Sequence, residues 1–189
     1  MIIPLRSDTR MDHTPYVTIF FILMNILVFI LVGPPWHENS TETQYFILNY
    51  QGGLHPIQWF LSAFAHADIF HLGMNMIFLW AFGLIVEGDV GHIRFIAIYF
   101  VSIVAIGLIE QIIFYNRVGG SLGASSAIYS LMMISLLWVP HNEIECIYLI
   151  WFRPGYASIK IQWFSAIYFG LDLINSIINN YGSSFLHII

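Results

Sequence analysis

Two polar residues share one helical face inside an apolar segment, and a serine begins another apolar segment further along the chain. His71 and Asn75 lie four residues apart in HLGMN, so both side chains project from the same face of a helix. Ser125 follows the run GGSLGA, where a helix N-terminus offers unpaired N–H groups and the positive end of the helix dipole. A hydroxyl at such a site, with an imidazole and an amide nearby, could carry out nucleophilic acyl transfer through a stabilised oxyanion.

Each of these residues also has a simpler structural interpretation. A serine at the start of a helix is more often a cap than a nucleophile, and a helical His/Asn pair more often makes interhelical hydrogen bonds. Gly73, between His71 and Asn75, is expected to let a neighbouring helix approach closely. The chemical interpretation becomes the stronger one only if the three polar side chains lie at the same depth.

The composition indicates the medium in which these residues lie. Hydrophobic residues make up 58% of the chain, charged residues make up 9%, and the mean hydropathy is +0.76. These values are typical of an integral membrane protein, and the few basic residues argue against nucleic-acid binding. Four apolar blocks approach the roughly 20 residues that cross a bilayer, and a fifth is shorter. In chain order, with the short block fourth, they are residues 16–32, 70–86, 95–115, 125–139 and 159–178.

The segments around these blocks carry further predictions. The first block follows basic residues but lacks a signal-peptide cleavage site, so we interpret it as a retained span preceded by a cytoplasmic segment, residues 1–15. Residues 55–66 are apolar and aromatic but too short to cross, so they should lie in the interface or fold back onto the bundle. Cys146 is the only cysteine, which excludes an internal disulfide and favours a buried thiol.

The basic residues indicate the orientation of the chain in the membrane. With a cytoplasmic N-terminus only Arg117 is outside, as the positive-inside rule favours, and five basic residues are inside: Arg6, Arg10, Arg94, Arg153 and Lys160. This orientation brings His71, Ser125 and His187 to one depth near the outer surface. At about 1.5 Å per residue the short fourth block is only about 22 Å long, so Ser125 should lie below that surface. Polar backbone is tolerated there only where it is buried in protein or lines a wet cavity.

The motifs resemble those of the rhomboid family of intramembrane serine proteases. Residues 60–88, FLSAFAHADIFHLGMNMIFLWAFGLIVEG, contain matches to the family's second-span motif. The matching residues are the His-x-x-x-Asn pair His71 and Asn75, the earlier His66 and the later Glu87.

A second stretch carries the same resemblance. Residues 122–132, LGASSAIYSLM, match the family's Gly-x-Ser motif at Gly123 and Ser125 and its following tyrosine at Tyr129. The first 29 residues also resemble the family's prokaryotic members, so we expect a multi-pass protein of a bacterial inner membrane. The resemblance covers nearly the whole chain.

The resemblance implies acyl transfer by a Ser-His dyad without a catalytic carboxylate. Ser125 would be the nucleophile, and the general base would be a histidine near the start of the sixth span. His187, in NNYGSSFLHII, has the matching place in the order. The alternative is that His187 is only a terminal polar residue.

The same resemblance implies how the oxyanion is stabilised. The candidate donors are the Ser125 backbone N–H, the His71 imidazole and the Asn75 amide. Supporting positions are implied for three further matches: Tyr129, which would stack against the base, Gly123 and His66. No metal or other cofactor is implied.

Two departures from the family pattern accompany these matches. Ser126 stands where the family usually has glycine directly after the nucleophile, and it adds volume and a second hydroxyl. Only Ile188 and Ile189 follow His187, so the sequence predicts an incomplete sixth span. The missing glycine-rich helix would otherwise pack against the fourth span.

Together these observations predict an all-α polytopic membrane helix bundle of the rhomboid type, with five spans and the start of a sixth in one domain, residues 1–189. The expected function is an intramembrane serine endopeptidase that cleaves single-pass membrane proteins within the lipid bilayer. The alternative is a catalytically inactive rhomboid-like protein that binds transmembrane helices. The sequence lacks the His-Glu-x-x-His motif of zinc metalloproteases, and Asp172 is the only aspartate within a span, whereas an aspartyl intramembrane protease needs two span carboxylates.

Overall fold

Helices form most of the chain, of which the computed structural model describes residues 2–8, 12–34, 43–150 and 153–178. The helices of these residues are α1 (Tyr16–Val32), α2 (Pro56–Leu61), α3 (Ile69–Val90), α4 (His92–Ile113), α5 (Ser125–Trp138) and α6 (Ile161–Ile178). Short 3₁₀ helices cover Thr43–Phe46 and Ser62–Phe64. The strands are β1 (Ile2–Ser7), β2 (Leu48–Asn49), β3 (Gly120–Ser121), β4 (Glu143–Ile150) and β5 (Arg153–Lys160).

One helix covers most of each of the five apolar blocks, which confirms the predicted helices at these positions. Helices α3 and α4 have 22 residues each and are long and apolar enough to cross a membrane. Helix α1 has 17 residues and α5 has 14, so both are shorter apolar helices, as the sequence predicts for α5. The sixth span and His187 lie outside the described residues.

A three-stranded antiparallel sheet makes the all-α prediction incomplete. Its strand order is β1-β4-β5, so the N-terminal strand pairs with the hairpin that joins α5 to α6. The start predicted for the fifth span, Ile159, is two residues early, because Ile159 lies in β5 and α6 begins at Ile161. Cys146 is buried in β4, as expected, and burial raises the pKa of its thiol to about 11.

Helix α3 is the central helix of the described bundle and lies beside α1, α5 and β1. A close helix contact lies at Gly83, where an added Cβ would lie 2.6 Å from the Thr18 side chain of α1. At Gly73, in contrast, an added Cβ meets no atom of the described residues within 4 Å. The expected close approach at Gly73 is therefore absent from the described part of the chain, and Gly83 provides it instead.

The segment predicted to lie in the interface or fold back does fold back onto the bundle. Helix α2 packs against α4, where Gly107 leaves room for Trp59: an added Cβ would lie 3.1 Å from three Trp59 atoms. Gln111 of α4 fastens the same segment, because its Oε1 accepts from Trp59 Nε1 (2.6 Å) and from the His55 N–H (3.0 Å). These contacts fix the connection that leads into α3.

Candidate active site

Ser125 is the first residue of α5 and is buried, with 2% of its surface exposed. The preceding Gly123 has a φ of +117°, a conformation that favours glycine over any residue with a side chain. Its N–H donates to the carbonyl of Ser62 (2.8 Å), which fixes the Gly123 peptide against the 3₁₀ turn before α3. The left-handed conformation of Gly123 and its hydrogen bond to Ser62 together define the backbone conformation of the Gly-x-Ser motif.

The structure brings the Gly-x-Ser and His-x-x-x-Asn motifs together. A Cβ added to Gly123 would lie 2.9 Å from Cε1 and 3.0 Å from Nε2 of His71, and 3.8 Å from Nδ2 of Asn75. Any side chain at position 123 would therefore collide with the His71 ring edge. The structure therefore places Gly123, two residues before Ser125, beside His71 and Asn75.

The hydrogen bonds of His71 define which ring nitrogen faces the site. Asp68 caps α3 by accepting the His71 N–H (2.8 Å), and the Ala67 N–H donates to His71 Nδ1 (3.3 Å). An imidazole whose Nδ1 accepts a hydrogen bond carries its proton on Nε2 when neutral. Nε2 is buried and has no hydrogen-bond partner among the described residues. The ring thus presents an N–H toward the Gly123 backbone.

Asn75 and His66 pack around this imidazole. The Asn75 side-chain amide donates to the His71 carbonyl (3.0 Å), so the two residues of the motif are bonded to each other along α3. The His66 ring is fully buried and meets the His71 ring edge-on, with 5.1 Å between ring centroids. Burial, followed by the neighbouring His71, lowers the pKa of His66 to about 3. His66 therefore remains a neutral packing partner at physiological pH.

Tyr129 lies one turn after Ser125 on α5 and contacts Phe169 of α6, with ring centroids 5.4 Å apart. This contact joins the helix that carries the serine to the last described helix. The base predicted to stack on Tyr129, His187, lies outside the described residues. The described structure therefore brings together Ser125, His71, Asn75, Gly123 and His66 but does not place the dyad partner.

A small cavity lies beside Ser125, between α2, α4 and the glycine-rich segment before α5. Its interior of about 10 Å³ has room for about one water molecule. Five of its lining residues are polar: Ser62, Glu110, Ser121, Ser125 and Ser126. Ser126, the departure from the family pattern, is half-buried and is one of the residues that line the cavity.

Sequence reasoning missed the carboxyl group of this cavity, Glu110. The residue lies within an apolar span, and an ionisable residue in a membrane segment is a functional candidate by default. That rule directed attention to Asp172 alone. Applied to every acidic residue of the spans, it would have identified Glu110.

Comparison with known proteins agrees with the motifs. The family model "Rhomboid domain" matches residues 53–187. The chain is 31% identical over 134 residues, 68% of its length, to "Presenilin-associated rhomboid-like protein, mitochondrial" of Rattus norvegicus, of which the match covers 34%. It is 36% identical over 89 residues to "Rhomboid protein 1, mitochondrial" of Saccharomyces cerevisiae, covering 44% of this chain and 25% of the relative.

A plant relative extends the likeness to a third kind of organism. The chain is 29% identical over 131 residues to "Rhomboid-like protein 11, chloroplastic" of Arabidopsis thaliana, covering 69% of this chain and 45% of the relative. The chain spans about one third of the length of the mammalian relatives it matches. Because the family model covers well over half of the chain, on the same residues that form the site, this is an integral membrane protein that belongs to the rhomboid family.

Proposed function

We propose that this chain is an intramembrane serine endopeptidase in which Ser125 is the nucleophile and His187 the general base. The observation that carries the proposal is the contact between Gly123 and the His71 ring beside the buried Ser125. It brings a hydroxyl, a helix N-terminus and a buried Nε2–H into one small site. These are the groups that acyl transfer requires.

The proposed reaction is the hydrolysis of a peptide bond in two steps. His187 takes the proton of Ser125 Oγ as the oxygen attacks the substrate carbonyl carbon, and then gives that proton to the leaving amine as the C–N bond breaks. A water molecule, deprotonated by the same imidazole, attacks the acyl-enzyme and releases the new carboxyl terminus. No carboxylate is needed in this dyad, because Tyr129 would hold the base by stacking.

The negative charge of each tetrahedral intermediate would lie against three donors. These are the Ser125 backbone N–H, the His71 Nε2–H and the Asn75 amide. The bond from Ala67 to His71 Nδ1 supports the donor role, because it leaves the ring proton on the nitrogen that faces Gly123. Loss of one such donor typically costs about 3 kcal/mol of transition-state stabilisation.

We further propose that the substrates are single-pass membrane proteins and that the N-terminus is cytoplasmic. The pairing of β1 with the α5–α6 hairpin supports this topology, because it joins the strands that carry three of the five basic residues assigned to the inside: Arg6 in β1, and Arg153 and Lys160 in β5. A bacterial inner membrane remains our proposal from the prokaryotic resemblance of the first residues. The relatives compared above carry mitochondrial and chloroplastic names, and these support membrane residence only.

A catalytically inactive member that binds transmembrane helices is the second candidate. The observation in its favour is Ser126, which lines the cavity next to Ser125 at a position where the family usually has glycine. Added volume at this position could displace the serine from its donors.

Labelling with a fluorophosphonate probe distinguishes the two candidates. We expect the purified protein to be labelled, Ser125→Ala to lose labelling, and Ser126→Ala to retain it as the matched control. Ser125→Ala should remain folded, because removing one buried hydroxyl costs only about 1 kcal/mol. Absence of labelling in a folded wild-type protein would contradict the protease proposal, and labelling of Ser126 would shift the assignment by one residue.

A further inference from the structure

Glu110 lies one turn before the C-terminal end of α4, with only 4% of its surface exposed. Its carboxyl group accepts a hydrogen bond from the Tyr50 hydroxyl. The Ser121 hydroxyl lies within interaction range of both groups, and Ser121 lines the same cavity as Glu110. The three side chains therefore form one buried cluster, which we call the Glu110 clamp.

The two partners of Glu110 belong to the two sides of one backbone ribbon. Tyr50 directly follows β2, and Ser121 is the second residue of β3, where it pairs with Leu48. The ribbon continues beyond the strands, because the Tyr50 N–H donates to the Gly119 carbonyl (3.3 Å). Glu110 thus fastens both sides of the ribbon to α4.

This ribbon leads directly into the proposed oxyanion site. Ser121 is two residues before Gly123 and four before Ser125. Residues 119–123 contain three glycines, which have more conformational freedom to lose than other residues. The Gly123 N–H is held by Ser62 on one side, and Ser121 is held by Glu110 on the other. The segment between these two fixed points sets the position of the Ser125 backbone N–H.

We propose that Glu110 is a positioning residue for catalysis, which holds the glycine-rich segment 119–123 at the depth where Ser125 meets the His71 and Asn75 donors. The inference rests on the proposed function for its catalytic consequence, although the clamp itself is a structural property. Glu110 acts through hydrogen bonds, so its charge and its acid strength are not required. Glutamine can replace it, since its amide oxygen accepts from Tyr50 and its NH₂ group donates to Ser121.

The structural arm of the experiment uses amide hydrogen exchange in the Ser125→Ala background, which removes catalysis from the measurement. We expect Glu110→Ala to raise exchange of the amides of residues 119–125 about tenfold or more, with α3 unchanged. In Glu110→Gln, the amides of residues 119–125 should exchange at the rate seen in Ser125→Ala alone. Ile109→Ala is the matched control, because Ile109 is the neighbouring residue on α4 and its side chain is 54% exposed.

The kinetic arm uses a single-pass model substrate with a fluorescent reporter on either side of the scissile bond. We expect Glu110→Ala to lower kcat by about tenfold to a hundredfold with little change in KM, because a misplacement of about 1 Å has effects of this size. Glu110→Gln should restore both kcat and the wild-type pH profile. A catalytic acid or base at this position would instead lose a limb of the pH profile on replacement by glutamine.

The outcomes separate this inference from the proposed function. Unchanged exchange of residues 119–125 in Glu110→Ala, or equal losses in Glu110→Ala and Glu110→Gln, would overturn the clamp. A wild-type protein without Ser125-dependent cleavage would contradict the proposed function, while the exchange arm would still decide whether the clamp exists. If Glu110→Ala does not fold, Ser121→Ala removes only the contact with β3, and the same local rise in exchange is then expected.

Discussion

The carboxylate of Glu87 at the end of α3 caps the start of α1 through Thr18. Glu87 Oε2 accepts both the Thr18 backbone N–H (2.7 Å) and the Thr18 hydroxyl (2.6 Å). Its other oxygen accepts the Val17 N–H (2.8 Å) and pairs with His92 Nδ1 (2.7 Å). One buried side chain therefore satisfies two N–H groups that the first turn of α1 leaves without helical partners.

We expect Glu87→Ala to lower the free energy of unfolding by about 2 to 4 kcal/mol, because it leaves several buried polar groups without partners. Glu87→Gln should lower the free energy of unfolding by a smaller amount, because its amide oxygen still accepts one hydrogen bond. Thermal unfolding in detergent measures the difference. Asp89→Ala is the matched control, because Asp89 is an exposed acidic residue two positions later in α3. Equal losses in Glu87→Ala and Asp89→Ala would contradict the capping role.

Gly123→Ala should reduce fluorophosphonate labelling of Ser125 by about a hundredfold. The added methyl group would lie 2.9 Å from His71 Cε1 in a backbone conformation that favours glycine, so the imidazole donor must move. Gly73→Ala is the control on α3, where the added Cβ meets no described atom within 4 Å. Gly73→Ala should retain labelling of Ser125. Labelling at the wild-type rate in Gly123→Ala would show that the His71 ring edge is not part of the site.

Acid should destabilise the protein through His66. The pKa of His66 is lowered to about 3 in the folded state from an ordinary 6.5, so the unfolded chain binds the proton more readily. The stability contribution is therefore complete above pH 6.5 and is lost as pH falls from about 6.5 toward 3, by at most about 1.4 kcal/mol per pH unit. Unfolding midpoints at pH 7.5 and 5 measure this loss.

Replacing the titrating group should flatten that pH dependence. His66→Gln should lose less stability between pH 7.5 and 5 than the wild type, even though its stability at pH 7.5 is lower. His141→Gln is the control, because it removes an exposed histidine and leaves His66 in place. An identical pH dependence in His66→Gln and wild type would rule out His66 as the source.

Cysteine accessibility tests the proposed topology. Cys146 is buried and its raised pKa keeps the thiol protonated at neutral pH, so the wild-type background should not react with maleimides. In intact cells Asn116→Cys should react with a membrane-impermeant maleimide, whereas His141→Cys should react only after the membrane is permeabilised. The reverse pattern would invert the orientation and place the site near the cytoplasmic surface.

The pairing of the two motifs was predictable from the sequence because local rules and chain order both define it. The spacing of His71 and Asn75 gives their shared face, and the Gly-x-Ser motif marks the start of α5 at Ser125. The helix interface at Gly83 was not predictable in the same way. A glycine permits close approach, but only the packed structure shows that α1 lies against Gly83 and that no described residue lies against Gly73.

The sheet and the Glu110 clamp escaped prediction for a different reason. Residues 143–150 are an eight-residue segment between two predicted spans, and their pairing with residues 2–7 depends on contacts far apart in sequence. The clamp likewise joins Glu110 to Tyr50, 60 positions earlier. Short-range sequence patterns do not identify partners that are far apart in the chain. Helix periodicity is a local pattern, so it can be detected in a single sequence.

The pairing of β1 with β4 also determines how late in synthesis the three-stranded sheet can form. Ile3 is paired with Ile147 in the sheet. The first strand can therefore pair only after the ribosome has added 144 further residues (147 minus 3). At roughly 5 to 20 residues per second, this interval is about 7 to 30 s. During that time α1 through α5 are synthesised. The sheet can therefore close only after the chain of these five helices has been made.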